Sequence, residues 1–359
     1  MQKRLLPRKQ GSDKGQAECM EKGQNRRRAS TQMKSMTTLH LPRLDADGFG
    51  WGIFCKNMRK ALSGYFDMTD GPADIVLMPL ADHEFNPASL ARGTVNLSMA
   101  FFEYALHPKV IENAALYDAN FVGSSWCLER IKELGIQNGR VLIQGVDGAI
   151  FKPQRRTPDG KFRIFTGGKF EWRKGQDLVI AAFRLFATRH PEAHLVCAWN
   201  NPWIRELLGT MIQSPHIRLD RVSGNTQEEF YRNLLNANGL SDSQFTILPA
   251  LPQPDLAREM ANTDIGLFPN RCEGGTNLVL MEYASIGRPV VANVLTGHAD
   301  VAGAISHKIN AFEDENHWAD QSISDILAAL EDAYQNPKPP SHTGWTWEQA
   351  AITVASSIL

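Results

Sequence analysis

Long apolar runs are missing from this sequence. No stretch approaches the roughly 20 consecutive apolar residues that cross a bilayer, so membrane contact is expected to be peripheral at most. Paired cysteines are missing too. The five cysteines, Cys19, Cys55, Cys127, Cys197 and Cys272, show no paired spacing. That argues against a disulfide framework or a zinc cluster and fits a reducing, cytoplasmic compartment, extended at most to the inner face of a membrane. Charge of either sign is not in excess: the formal net charge is −1, so no global basic field points to nucleic acid. A secretory leader is not readable either. Residues 1–36 carry Arg26-Arg27-Arg28 and scattered cations without a continuous apolar core, and read as a disordered basic segment, with Met36 a second candidate start. What remains has a globular balance, 43% hydrophobic and 21% charged, and 359 residues are enough for two domains of ordinary size.

One stretch carries most of the chemistry. Ile265-Gly266-Leu267-Phe268 reads as a short buried strand that must stop at Pro269. Gly274 and Gly275 follow as a loop without Cβ atoms, which would let a ligand approach the main chain. Thr276 is the expected N-cap of the next helix, and the free N–H groups at Thr276, Asn277 and Leu278, with the helix dipole behind them, would form an anion seat. Glu273 and Glu282 bracket that seat. Carboxylates repel a phosphate but accept from hydroxyl groups, so the combination points to a diphosphate flanked by a sugar and a ribose. Alone, the turn could equally be a packing feature of any αβ unit. The segment Gly287-Arg288-Pro289-Val290-Val291-Ala292 then stops the helix and starts another strand.

These residues resemble the signature of the retaining GT-B glycosyltransferases of the family-4 type: a Glu, a Gly-rich turn, a Leu-Val pair, a second Glu and then Gly-x-Pro-Val. Asn277-Leu278-Val279-Leu280-Met281-Glu282 and Gly287-Arg288-Pro289-Val290 fall in register with it. Eight residues separate Glu273 from Glu282 here, where the family usually has seven. Inside a helix one extra residue would rotate Glu282 by roughly 100°. The loop at Gly275 or Thr276 is therefore the expected place for it. The resemblance implies that Glu273 contacts the transferred sugar and Glu282 the ribose.

Strands and helices alternate along the rest of the chain, which implies parallel sheets covered on both faces. The expected fold is α/β, GT-B, with two Rossmann-like domains facing across a cleft. Residues 37–153 form the short acceptor-side domain, 154–340 the nucleotide-sugar-binding domain, and 341–359 a helix that returns to the first domain. Strands are read at 39–41, 74–80, 94–102, 120–123 and 141–143, then at 162–166, 195–199, 217–219, 245–248, 265–268 and 290–292. Asp47-Gly48-Phe49-Gly50-Trp51-Gly52 precedes a helix near 53–65. Its spacing is not the dinucleotide fingerprint. The resemblance implies a loop facing the donor, with Gly50 the candidate contact, and a plain strand-to-helix turn is the alternative. Glu103 and His83, at strand ends, are acceptor-side candidates. A metal site at His83 is not expected, because Pro87 stands where a helical zinc motif needs its second His.

A second turn, Gly167-Gly168-Lys169-Phe170-Glu171-Trp172-Arg173-Lys174-Gly175, occupies the same expected sheet edge. In the family this turn is Gly-Arg, four residues, then Lys-Gly. Lys169 stands at the Arg position and Lys174 at the Lys position, with Arg173 beside it. Lysine keeps the charge and loses the bidentate fork. The resemblance implies that Lys169 and Lys174 neutralise a departing diphosphate, that Gly168 approaches the donor, and that no metal or other cofactor beyond the nucleotide-sugar co-substrate is needed. The acceptor, whether glycan, lipid-linked glycan or small molecule, is not readable. Two other functions use the same seat: a nucleotide-sugar 2-epimerase, and a non-catalytic nucleotide-sugar binder.

Overall fold

The computed structural model describes residues 37–44, 50–87, 92–201, 209–220 and 222–358. The expectations for residues 1–36 and for Asp47-Gly48-Phe49 lie outside the described residues.

Two sheets of six parallel strands organise residues 38–358. The first contains β1 (Thr38–His40), β2 (Asp67–Thr69), β3 (Ile75–Leu80), β4 (Val95–Ala100), β5 (Ala119–Val122) and β6 (Gly139–Val141), in the order β2-β1-β3-β4-β5-β6. The second contains β7 (Phe162–Gly167), β8 (Ala193–Ala198), β9 (Phe245–Ile247), β10 (Ile265–Phe268), β11 (Val290–Ala292) and β12 (His307–Lys308), in the order β12-β11-β10-β7-β8-β9. The architecture is the α/β, two-sheet one expected from the alternation of strands and helices. Pro79 sits in an interior strand, yet β1 pairs only with Ile75 and Val76, so the missing N–H falls beyond the end of β1.

Alternation along the strands sorts the core onto two faces of each sheet. In the second sheet Ile164, Leu195, Cys197, Ile265 and Val291 pack on one side, and Phe165, Val196, Phe268, Val290 and Ala292 on the other. In the first sheet Leu77, Leu97 and Phe121 face helix α1 (Gly50–Leu62) and the last helix, Trp347–Ala355. That last helix is capped by Thr346, whose hydroxyl accepts from Gln349 N–H, and it buries Trp347, Ala351 and Val354 against Phe54 and Met58. Side chains buried this fully contribute about 1.5–3 kcal/mol each.

One expected strand is absent. Residues 217–219 are not paired with a neighbouring strand, because the Asn238 side chain takes the place of one. Its Oδ1 accepts from Arg218 N–H at 2.7 Å and its Nδ2 donates to Arg218 C=O at 3.0 Å. The cysteines among the described residues, Cys55, Cys127, Cys197 and Cys272, are free and buried. Among the described residues no helix is long and apolar enough to cross a membrane.

Candidate functional site

The turns after β7 and β10 are stitched together. Arg271 N–H and Cys272 N–H both donate to Arg173 C=O, at 2.7 and 3.2 Å. Helix α4 (Gln176–Arg189) opens with Asp177, which is fully buried. Arg271 grips it with two hydrogen bonds of 2.8 Å and stacks on Trp172, 3.4 Å from the ring centroid. Two loops that share a sheet edge are thereby held as one surface.

On that surface three carboxylates meet three cations. Lys174 Nζ donates to both oxygens of Glu273, at 2.6 and 2.8 Å. Arg173 Nη1 lies 3.2 Å from Glu273 Oε2 and 3.2 Å from Glu103 Oε1. Its Nη2 lies 2.7 Å from Glu171 Oε1, an ion pair at an angle that makes no hydrogen bond. Lys169 Nζ lies 3.3 Å from Glu171 Oε2. Glu273 is buried, and Asn270 Nδ2 also donates to it. Burial pushes its carboxyl up, but Lys174 and then Arg173 overcome this and hold it at about 2, so Glu273 is ionised. Burial likewise disfavours the Arg173 cation, and Glu103, Glu171 and Glu273 more than offset it.

The loop after Glu273 departs from expectation in two ways. Its cap is Asn277, not Thr276. Asn277 adopts the left-handed conformation (φ 60°, ψ 82°), and its Oδ1 accepts from Leu280 N–H at 3.4 Å at the start of α7 (Leu278–Ser285). Asparagine tolerates this region and caps well, whereas a β-branched residue there is strained. Thr276 is buried and its hydroxyl faces Met281 Sδ at 3.0 Å. The second departure concerns the glycines. The space beside Gly274 is filled by the chain itself: a Cβ there would lie 2.2 Å from Phe102 C=O, and one on Gly275 would lie 3.2 Å from the Phe101 ring. Ser124 Oγ donates to Gly274 C=O at 2.8 Å, and Gly274 N–H donates to Glu103 Oε1 at 3.3 Å. These glycines let the two sheets close on each other.

The helix terminus stays available. Among the described residues nothing accepts from the N–H groups of Leu278 and Val279. Val279 lies against Gly167, and Lys174 runs past Gly168 (φ 118°), so α7, the glycine pair and Lys174 are contiguous. Glu282, one turn further along α7, is buried with Gln253 Nε2 donating to it at 3.0 Å. Burial raises its carboxyl to about 8 against the opposing hydrogen bond from Gln253, so it is largely protonated at neutral pH. His298, also buried, is held down to about 4. Its Nε2 faces Asn277 Nδ2 at 3.1 Å and its Nδ1 faces Asn293 C=O at 3.2 Å, the pattern of a neutral ring accepting at Nε2.

Of the candidate residues, the structure brings together Glu273, Lys174, Lys169, Arg173, Glu103, Gly168, Gly274, Gly275, Asn277 and Leu278. Gly50 opens α1, and its neighbour Trp51 meets Phe101 with ring centroids 4.7 Å apart, which places Gly50 near the loop but outside the charged cluster. His83 is exposed, 3.3 Å from Ala105 C=O, and does not touch the cluster. Sequence reasoning missed Glu171, the Arg271–Asp177 pair and His298. Only Glu171 left a local signal: an acid between two cations in a six-residue turn.

This fold is that of a GT-B glycosyltransferase. The chain belongs to the family Glycosyl transferases group 1, whose model matches residues 148–342. It is 26% identical over 230 residues, 59% of its length, to a D-inositol 3-phosphate glycosyltransferase of Arthrobacter sp. (strain FB24), and spans about half, 48%, of that relative. Among solved structures it resembles HepE of Anabaena (TM-score 0.60, 12% identity, 90% of this chain and 99% of that one). It also resembles sucrose-phosphate synthase of Thermosynechococcus elongatus (TM-score 0.58, 14% identity, 79% and 73%).

Proposed function

We propose that this protein moves a sugar from a nucleotide diphosphate sugar to a hydroxyl acceptor, with retention at the anomeric carbon and without a metal ion. In this reading residues 37–153 serve the acceptor and 154–340 the donor, with 341–359 returning to the first part. The observation that carries it is the run from Val279 through Gly167 and Gly168 to Lys174, ending on an ionised Glu273.

The hard part of the transfer is charge, because a diphosphate leaves as an anion while the anomeric carbon becomes cationic. The N–H groups of Leu278 and Val279 and the α7 dipole would receive the anion. Lys174 has three N–H donors, of which Glu273 takes two, leaving one for a phosphate oxygen. Lys169 adds charge at the same mouth. Arg173, held by three carboxylates, positions Glu273. Glu273 would accept from the sugar hydroxyls, and Glu282, carrying its proton, would both donate to and accept from the ribose. The departing phosphate oxygen would take the acceptor's proton, so no protein base is required. HepE was solved with UDP and glucose, which makes UDP-glucose the first donor to try.

The test starts with thermal shifts in UDP-, GDP- and ADP-sugars, followed by turnover of the best donor in EDTA and in Lys174→Ala. A stabilising donor, EDTA-resistant transfer with retained configuration, and a loss of roughly 100-fold or more in the variant are expected. Unchanged turnover in Lys174→Ala refutes the site. An inverted product refutes retention, and EDTA-sensitive activity restored by a divalent ion refutes metal independence. An epimer formed from donor alone would instead identify an isomerase.

A further inference from the structure

A cavity of about 680 Å³ has Glu103 in its lining, and neither Glu273, Lys174 nor the first turn of α7 lines it. Five aromatic side chains do: Phe102, Tyr104, Trp126, Trp172 and Trp318. Residues of the hairpin β13 (Phe312–Glu313) to β14 (Ala319–Asp320) also line it, and two indole N–H groups fasten that hairpin across the junction between the sheets. Trp318 Nε1 donates to Glu103 C=O at 3.0 Å, and Trp126 Nε1 donates to His317 C=O at 2.9 Å. With those polar atoms committed, Trp126 and Trp318 offer ring surface to the cavity. Tyr104 packs edge-on against Trp318 with centroids 5.2 Å apart, and its hydroxyl has no partner among the described residues. Gln213, at the rim, likewise has an unpartnered amide among the described residues.

The charged lining is acidic. Glu103, Glu133, Asp314 and Asp320 face two cations. Arg271 is occupied by Asp177, and Arg130 Nη2 by Glu133 at 2.6 Å, while Arg130 Nε and Nη1 are buried without a hydrogen-bond partner among the described residues. An anionic guest is disfavoured by that balance. Apolar ring faces beside carboxylate and amide acceptors fit a molecule with hydrophobic C–H faces and many hydroxyl donors. From this we infer that the cavity binds a neutral saccharide, and that this saccharide is the acceptor. The second part rests on the function proposed above; the first does not. Glu103 links the two sites, since it touches Arg173 and Gly274 N–H, and Arg173 touches Glu273. An acceptor seated here is linked to the sugar site through two side chains, Glu103 and Arg173.

Three of the eight tryptophans line the cavity, so occupancy is readable by intrinsic fluorescence. The full-length protein is titrated with maltose, cellobiose, lactose and mannobiose, and with glucuronate and glucose 6-phosphate as anionic probes. At least one neutral disaccharide is expected to shift the emission saturably, with the anionic probes weaker. Tyr104→Ala should weaken that affinity about 3- to 10-fold and Gln213→Ala about 3-fold. No response to any neutral disaccharide overturns the inference, as does equal binding of the anionic sugars or undiminished affinity in both variants. Saccharide binding without any nucleotide-sugar stabilisation would leave the cavity assignment standing and sink the donor reading. The reverse result would do the opposite.

Discussion

Glu282→Gln isolates a buried carboxyl that carries no charge partner. Among the described residues its only hydrogen bond is from Gln253, and a glutamine can accept that bond in the same way. The folded protein raises the carboxyl from an ordinary 4.5 to about 8 through burial. A raised acid is favoured in its protonated form, so its contribution is intact below pH 4.5 and is lost as pH climbs toward 8, where the fold binds a proton that the unfolded chain has released. At about 1.4 kcal/mol per tenfold change in proton affinity, the loss amounts to about 1 kcal/mol at pH 5 and about 4 kcal/mol at pH 8. Glutamine removes the titration and keeps the shape.

The difference in unfolding free energy between Glu282→Gln and the wild type should therefore grow by about 3 kcal/mol in favour of the variant from pH 5 to pH 8. Urea melts of both proteins at pH 5, 6, 7 and 8 measure it, and other titrating groups cancel in the difference. Parallel stabilities across that range would show that Glu282 is ionised in the fold, with water or a cation reaching it. Because a glutamine amide offers both an N–H donor and a C=O acceptor, as a protonated carboxyl does, the same variant should keep its affinity for a donor, and a marked loss of affinity would show that the ribose needs the ionised carboxylate.

Three further outcomes follow from the geometry. Gly274→Ala would place a Cβ 2.2 Å from Phe102 C=O, and the backbone shift needed should cost about 1–3 kcal/mol in melts; a variant melting with the wild type would show that this contact is not kept in solution. Asn277→Ala loses both the cap and a residue suited to φ 60°, for about 2 kcal/mol, whereas Asn277→Gly recovers the backbone term; equal melting of the two would contradict the left-handed cap. UDP-glucose should stabilise the protein more than UDP at equal concentration, and the opposite order in thermal shifts would remove Glu273 from the sugar site.

What the sequence disclosed, and what it hid, divides by distance along the chain. The β10 run ends at Pro269 and the next helix stops at Gly287 (φ 82°) because those signals lie within a few residues of the elements they bound. Residues 217–219 look like a strand locally, and only Asn238, twenty residues on, shows why they are not. Thr276 and Asn277 are both good capping types, and the choice turned on which residue takes the left-handed conformation. Glu103 was a candidate through its strand-end position and the family resemblance there; its pairing with Arg173 and Gly274 depends on how two sheets meet. The glycines were read as making room for a ligand, when their first neighbours are Phe102 for Gly274 and Phe101 for Gly275. No periodicity carries that information.

The charge balance at the site bears on what it can bind. Three cations already neutralise three carboxylates, so a diphosphate brings unmatched negative charge to a surface with none to spare. At the α7 terminus it would share Lys174 with Glu273, taking the third N–H of the ammonium and weakening the field that holds the carboxylate ionised. Glu273 is buried and ionised, and an ion left short of partners there costs several kcal/mol, roughly. Arg173 cannot compensate without releasing Glu103 or Glu171. Hydroxyl groups can, because each donates a hydrogen bond without adding charge. In the proposed donor reading, a bare nucleoside diphosphate would satisfy the helix and strand Glu273, while a sugar on the same phosphate would satisfy both, so the buried salt bridge would make recognition of the sugar a condition for tight seating of the diphosphate.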